Sequence, residues 1–261
     1  MEALDFNKDF LIGKHVRHIG TEYRSKLGSL ATVIGYKSAK DVTVVFNDTG
    51  YVKTTRISEL RNGSFKSPYC KSVFGIGYLG EGIYKVSEVG RITIAYDVWH
   101  SMLTRCYSKK YLETNPSYKG CIVHPDWHNF QVFAEWYYKH PFYGLGYQLD
   151  KDILCRGNKT YQDIFCTLVP REINTAVIDC KKARGNCPVG VTFHKRDNVF
   201  ISKAIVDGKR KELGRFSTPK EAFAKYKKFK EIHLRQLAIK YKGKVEDSVF
   251  KALFEWDIYC G

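Results

Sequence analysis

The sequence predicts an α+β, multidomain chain. A small β module comes first, then a central strand–turn–strand–helix (ββα) module, then a three-stranded sheet plus helix. Three observations predict this. Residues 28–55 alternate apolar and polar side chains around an Asn-Asp-Thr-Gly turn, the period of half-buried strands. Residues 97–107 and 127–137 instead repeat their apolar side chains at helical spacing. Residues Gly190 to Lys230 read as three short strands carrying basic residues, followed by one capped helix.

The N-terminal module is expected over residues 1–66. Gly28 to Tyr36 is one strand, Asp41 to Phe46 alternates into a second, and Tyr51 to Thr55 returns after Asn47-Asp48-Thr49-Gly50. Asn, Asp and Gly supply the local hydrogen bonds and positive φ of that turn. A meander of this size resembles a small SH3- or Tudor-like barrel, a likeness that leaves its ligand open. Residues 67–94 are rich in Gly, Ser and Tyr and read as a Gly-rich linker with a few short strands. Their glycines are not a phosphate-binding fingerprint, because no strand-to-helix switch surrounds them.

The central module is expected over 95–180. Val98, Trp99, Met102, Leu103 and Cys106 place a helix from about Asp97 to Tyr107. Gly120 to His124 is a short strand. Pro125 and Asp126 then open a helix with Trp127, Phe130, Phe133, Ala134 and Tyr137 on one face, read as core; His124 and His128 flank its start as capping or surface residues. Gln148 to Leu154 is a strand, Cys155 to Thr160 a turn, and Phe165 to Val169 a second strand. Pro170 suits the first turn of the helix that follows to Val177.

The last module, 184–261, begins after Arg184-Gly185-Asn186. Its strands are expected at Val189–Lys195, Val199–Val206 and Lys211–Phe216, joined by Arg196-Asp197-Asn198 and by Asp207-Gly208, a strong hairpin signal. Thr218-Pro219-Lys220-Glu221 is a capping box with Pro at the first helical position. Ala222, Phe223, Tyr226 and Phe229 then line a face suited to packing on the sheet.

The 261 residues are enough for two or three compact units, and 44% hydrophobic with 15% aromatic content furnishes their cores. Net charge is +16, and residues 181–261, with 20 Lys+Arg against 9 Asp+Glu, supply +11 of it. Such asymmetry points to a polyanion, double-stranded DNA being the partner expected; a Lys-rich soluble surface is the plainer alternative. The 8 cysteines form no CxxC pair, Cys180 and Cys187 being the closest two, so no zinc is expected. Met1-Glu2-Ala3-Leu4-Asp5 is acidic and without an apolar core, and no apolar run reaches a membrane span. These features lead to the expectation of a reducing, cytoplasmic location with free thiols and no membrane partner.

The C-terminal unit resembles the AP2 DNA-binding domain. Gly190-Val191, Lys203-Ala204, Gly208-Lys209, Leu213-Gly214-Arg215-Phe216 and Glu221-Ala222-Phe223 with Tyr226 carry the likeness. The resemblance implies a sheet lying in the DNA major groove with the helix packed behind. It makes Thr192, His194, Lys195, Arg196, Ser202, Lys203, Lys209, Arg210, Lys211 and Arg215 the candidate DNA-binding residues. Strand alternation adds that one set of side chains packs on the helix while the other meets solvent or DNA. Val199-Phe200 departs from plant members, which usually carry a Trp there.

Residues 148–177 resemble the HNH (ββα-metal) nuclease core of phage HNH–AP2 proteins of homing-endonuclease type. Leu149-Asp150-Lys151-Asp152, Gly157-Asn158, Cys166 with Val169-Pro170, and Ile173-Asn174 carry that match. Trp99 to Cys106 through Trp127 and Phe130 look like the leader of such proteins, and Thr43 to Leu79 like the module often ahead of it. The resemblance implies a His base, a divalent metal on the scissile phosphate, and a bracing Asn. No histidine occurs from Leu149 to Val177; Lys151 or Asp152 stands at its place. Asp150, Lys151, Asp152 and Asn158 are therefore the catalytic candidates. Asp150, Asp152 and Asn174 are the candidate ligands for Mg²⁺ or Mn²⁺, the two aspartates alternating on the strand about Lys151 and so sharing a face. A lysine serves as base only where its pKa is lowered. Three functions stay open: a phage-type DNA-binding protein, an active metal-dependent homing-type DNA endonuclease, and an inhibitor or adaptor binding a host protein through the N-terminal module.

Overall fold

The fold is mixed α and β, with several small sheets. It is a computed structural model that describes residues 18–178, 187–206 and 208–259. The readings placed on Met1 to Asp5, Cys180, Arg184-Gly185-Asn186 and Asp207 lie outside the described residues.

The strands are β1 (Glu22–Arg24), β2 (Leu30–Ser38), β3 (Asp41–Phe46), β4 (Val52–Thr55), β5 (Ser87–Glu88), β6 (Arg91–Ile92), β7 (Ile122–Val123), β8 (Gln148–Asp150), β9 (Thr160–Tyr161), β10 (Thr167–Val169), β11 (Val191–His194), β12 (Val199–Val206) and β13 (Lys209–Phe216). The helices are α1 (Ile57–Asn62), α2 (Ile94–Tyr107), α3 (Lys109–Thr114), α4 (Phe130–Lys139), α5 (Arg171–Val177), α6 (Pro219–Lys240) and α7 (Asp247–Phe254). Two compact units emerge: residues up to 108 with 125–134, and residues 109–124 with 135 onward. This division differs from the bounds read from the sequence.

In the first unit, β1 to β4 form an antiparallel meander in sequence order. Among the described residues it is an open sheet and not the barrel expected, because β1 pairs there with β2 alone and β4 with β3 alone. Ala31, Val33, Val42, Val44 and Phe46 are its inward residues and pack with Ile57, Leu60 and Phe65. The glycine-rich stretch is no loose tether. The Tyr78 amide donates to the His128 carbonyl, the Phe130 amide to the Tyr78 carbonyl, and the Gln131 side chain bonds both backbone groups of Tyr84. Helix α2 starts three residues before the expected Asp97 because the Thr93 hydroxyl accepts from the Tyr96 amide as its cap. Trp99 is fully buried, and its Nε1 donates to the Trp127 carbonyl at 2.7 Å.

In the second unit, β8 and β10 pair antiparallel and α5 follows directly. The first strand ends at Asp150 and does not reach the expected Leu154. Asp150 Oδ1 accepts from the Asp152 amide at 2.9 Å and the Ile153 amide at 2.7 Å. An Asp side chain that binds the backbone two and three residues on replaces the ladder with a turn. Strands β11 to β13 form an antiparallel sheet in sequence order, and α6 packs on all three. The capping box forms as read: Thr218 Oγ1 accepts from the Glu221 amide, and the Glu221 carboxylate from the Thr218 amide.

Helix α6 is long enough to serve two cores. Its first half, through Ala222 and Tyr226, backs the sheet. Its second half contributes Leu234, Leu237 and Ala238 to a cluster with Ile153, Val169, Ile173 and Ala176 of the ββα segment and Val245, Val249 and Leu253. The two modules separated in the sequence reading therefore share one core. Six described cysteines are free thiols, Cys106, Cys121 and Cys166 among them buried. No helix among the described residues is long and apolar enough to cross a membrane.

Candidate nucleic-acid interface

The sheet's two faces follow from its register. Val191 pairs with Ser202 and Ser202 with Gly214; Phe193 pairs with Phe200 and Phe200 with Phe216. Cross-strand partners share a face, so these residues lie together. This is the α6 side. Val191, Ser202 and Ala204 are buried on it, and Lys211, paired with Ala204, holds its Nζ 5.3 Å from the Phe229 ring centre on α6. Gly190 fixes the approach of the helix. Its φ is +75°, and a Cβ there would lie 2.0 Å from the Tyr226 ring. Only glycine allows both the backbone conformation and the contact.

The opposite face carries Thr192, His194, Ile201, Lys203, Ile205, Arg210, Glu212 and Arg215. Ile201 is buried between Thr192 and Arg215, which flank it in register. Lys195 and Arg196 are exposed on the β11–β12 turn, where Asn198 adopts φ +52°. Lys209 is exposed at the β12–β13 turn. Of the ten expected contacts, Thr192, His194, Lys203, Arg210 and Arg215 share the open face, and Lys195, Arg196 and Lys209 border it. Two do not join them. Ser202 is 0% exposed on the helix side and so is no groove contact. Lys211 also belongs to the helix side. Both corrections follow from the two-residue strand period.

Two carboxylates on this face escaped the sequence reading. Arg215 Nε donates to Glu212 Oε1 at 3.1 Å, and Arg215 Nη1 to Asp197 Oδ2 at 3.0 Å. The His194 Nδ1 lies 3.3 Å from Asp197 Oδ2. The hydrogen bond and charge of Glu212, aided by Asp197, hold the Arg215 pKa above its ordinary value. Counting Lys and Arg marks the patch as basic, but nothing in that count shows which cations are already paired.

The central candidates come together around the loop after β8. Lys151 is 7% exposed, and its Nζ donates to Asp152 Oδ2 at 2.9 Å and to the Asn158 carbonyl at 2.8 Å. It also lies 5.9 Å from the Tyr161 ring centre. Asn158 Nδ2 donates to the carbonyls of Lys151 and Thr160, and its Oδ1 accepts from the Thr160 amide. The Asn158 side chain thus ties the two ends of this loop together. Burial pulls the Lys151 pKa down, but the hydrogen bond and charge of Asp152 outweigh it and the net shift is upward. That direction favours the ammonium, the opposite of what a base needs. Burial, then the nearby Asp152, push the Asp150 carboxyl up, against the two amide bonds it accepts.

The three expected metal ligands each have a protein partner. Asp150 Oδ1 holds two amides, Asp152 holds Lys151, and Asn174 Nδ2 donates to Gln148 Oε1 at 2.9 Å. These bonds engage one oxygen of each aspartate and the amide nitrogen of Asn174. Among the described residues no group of three or more His, Cys, Asp and Glu side chains gathers to hold a metal. No family model, curated protein or solved structure matches this chain.

Proposed function

We propose that this protein binds double-stranded DNA by laying the open face of β11–β13 in the major groove, with α6 as the rigid backing. The observation that carries this reading is the outward set of exposed Thr192, Arg210 and Arg215 with half-buried His194 and Lys203, bordered by Lys195, Arg196 and Lys209. A groove about 12 Å wide admits a β-ribbon. Lys and Arg on its rim reach phosphates, and those at its centre reach base edges. The resemblance of Gly190 to Tyr226 to the AP2 domain supports the same mode. The ββα segment then acts as a platform, because its core is continuous with the second half of α6.

The strand–loop–strand–helix order of 148–177 keeps metal-dependent endonuclease activity as a second reading. Lys151 lends it no support as the base, since the bond and charge of Asp152 shift its pKa upward.

The test is anisotropy of a labelled duplex titrated with the full chain at several salt concentrations. The expected result is affinity that falls steeply with salt, about one power of ten per tenfold salt for each phosphate contact. Lys203→Ala and Arg210→Ala weaken it. Absent or salt-independent binding overturns the reading. A plasmid incubated with Mg²⁺ or Mn²⁺, beside an EDTA control, tests the second reading.

A further inference from the structure

We propose that Glu212 and Arg215 form a preassembled reader of a C·G base pair, Glu212 accepting from the cytosine N4 amino group while Arg215 donates to guanine O6 and N7. The inference rests on the DNA-binding mode proposed above.

The geometry is unusual for a strand. Residues three apart normally point to opposite faces. Here Ser202 pairs with Gly214 and Lys203 with Glu212, so Leu213 is an extra residue and β13 bulges between them. Gly214 takes φ +149° at this step. The bulge brings Glu212 and Arg215 onto one face, the face turned away from α6. A bulge that re-aims a side chain recurs beside functional sites.

The pair is also open to a ligand. The Arg215 side chain is 55% exposed and the Glu212 side chain 46%. Their register neighbours on this face are Lys203 and Ile201. A carboxylate on a basic face repels phosphate and lowers affinity for DNA at large. That loss is offset where the carboxylate accepts a hydrogen bond from a base, and in the major groove only cytosine N4 and adenine N6 offer one. Arg215 supplies the matching fork for the paired guanine. A reversed G·C or T·A pair sets the carboxylate against an acceptor, which is discrimination by penalty, while A·T is disfavoured because thymine offers Arg215 one acceptor where guanine offers two.

The experiment selects duplexes from a randomised pool with the full chain and with Glu212→Gln and Glu212→Ala, both at a half-exposed position. The parent is expected to select a motif containing a fixed C·G pair. The variants are expected to lose preference at that one pair by about tenfold or more, while binding random-sequence duplex at least as well as the parent. Three results overturn the inference: a parent motif without such a pair, variants that keep the preference, or variants whose affinity falls equally for every sequence, which marks Glu212 as a brace for Arg215 alone. A parent that binds no duplex at all overturns the DNA-binding mode itself, whereas sequence-blind binding overturns only the reader.

Discussion

Lys151 and Asn158 close a loop on each other. The Lys151 ammonium donates to the Asn158 carbonyl at 2.8 Å, and the Asn158 amide returns a bond of 2.6 Å to the Lys151 carbonyl. The two residues span the turn between the end of β8 and β9 and hold it in one conformation. A nuclease reading makes Lys151 a base; the closure makes it a structural cation.

Asn158→Ala removes the donor to the carbonyls of Lys151 and Thr160 and the acceptor for the Thr160 amide. Half-buried backbone groups left without partners cost about 1–3 kcal/mol in sum. A lowered calorimetric unfolding midpoint is expected, together with faster hydrogen exchange over 151–161. An unchanged midpoint would show that the closure contributes nothing to the fold.

Asp150→Asn separates the structural role from the metal role. Asn keeps a side-chain oxygen for the amides of Asp152 and Ile153 and removes a buried charge. The folded Asp150 pKa is raised above its ordinary 3.8. Between those two values the folded chain keeps a proton the unfolded chain has released, so parent stability falls as pH rises through that window. The Asn variant lacks this loss. Its midpoint is expected to equal or exceed that of the parent at pH 7 and to lose the advantage near pH 3.5. A midpoint that Mg²⁺ raises in the parent and not in the variant argues for a metal site instead.

Much of this was legible in the sequence where chemistry is local. The Thr218–Glu221 capping box, the order of β8, β10 and α5, and the three C-terminal strands all form where turn residues and periodicity put them. Two misses share one physical source: side-chain bonds that override period. Asp150 ends a strand that alternation carries to Leu154. Thr93 begins a helix before its apolar stripe does. The Leu213 bulge moves Glu212 to the face of Arg215, although a two-residue period separates them. Open edges in β1 and β4 were equally invisible, since pairing between distant strands leaves no local trace.

Gly190→Ala tests how closely the sheet needs its helix. Alanine meets both a φ of +75° and a Tyr226 ring atom 2.0 Å from its Cβ. Backbone strain and overpacking together are expected to lower stability by at least about 2 kcal/mol. Because α6 is the backing of the open face, duplex affinity is expected to fall with it. Tyr226→Ala removes the clashing ring at a cost of its own, so Gly190→Ala is compared on the two backgrounds. A smaller loss on the Tyr226→Ala background, read by denaturation, is the expected outcome; equal loss on both would place the whole effect in φ.

Glu172 joins α5 to α6. Its Oε2 accepts from the Lys240 ammonium and from the Tyr241 hydroxyl, both at 2.6 Å. Burial raises the Glu172 pKa, and these two bonds outweigh it, leaving it below its ordinary 4.5. A carboxyl with a depressed folded pKa stabilises the fold above its unfolded value, and that stabilisation disappears as pH falls through the folded value. Glu172→Gln is therefore expected to lower the unfolding midpoint at pH 7, by about 1 kcal/mol given the exposed Lys240 partner. The difference from the parent should begin to shrink below pH 4.5 and close as pH falls through the depressed folded value, where the parent carboxyl is also neutral. A gap that does not narrow at all as pH falls would mean that Glu172 acts through packing, not through its charge.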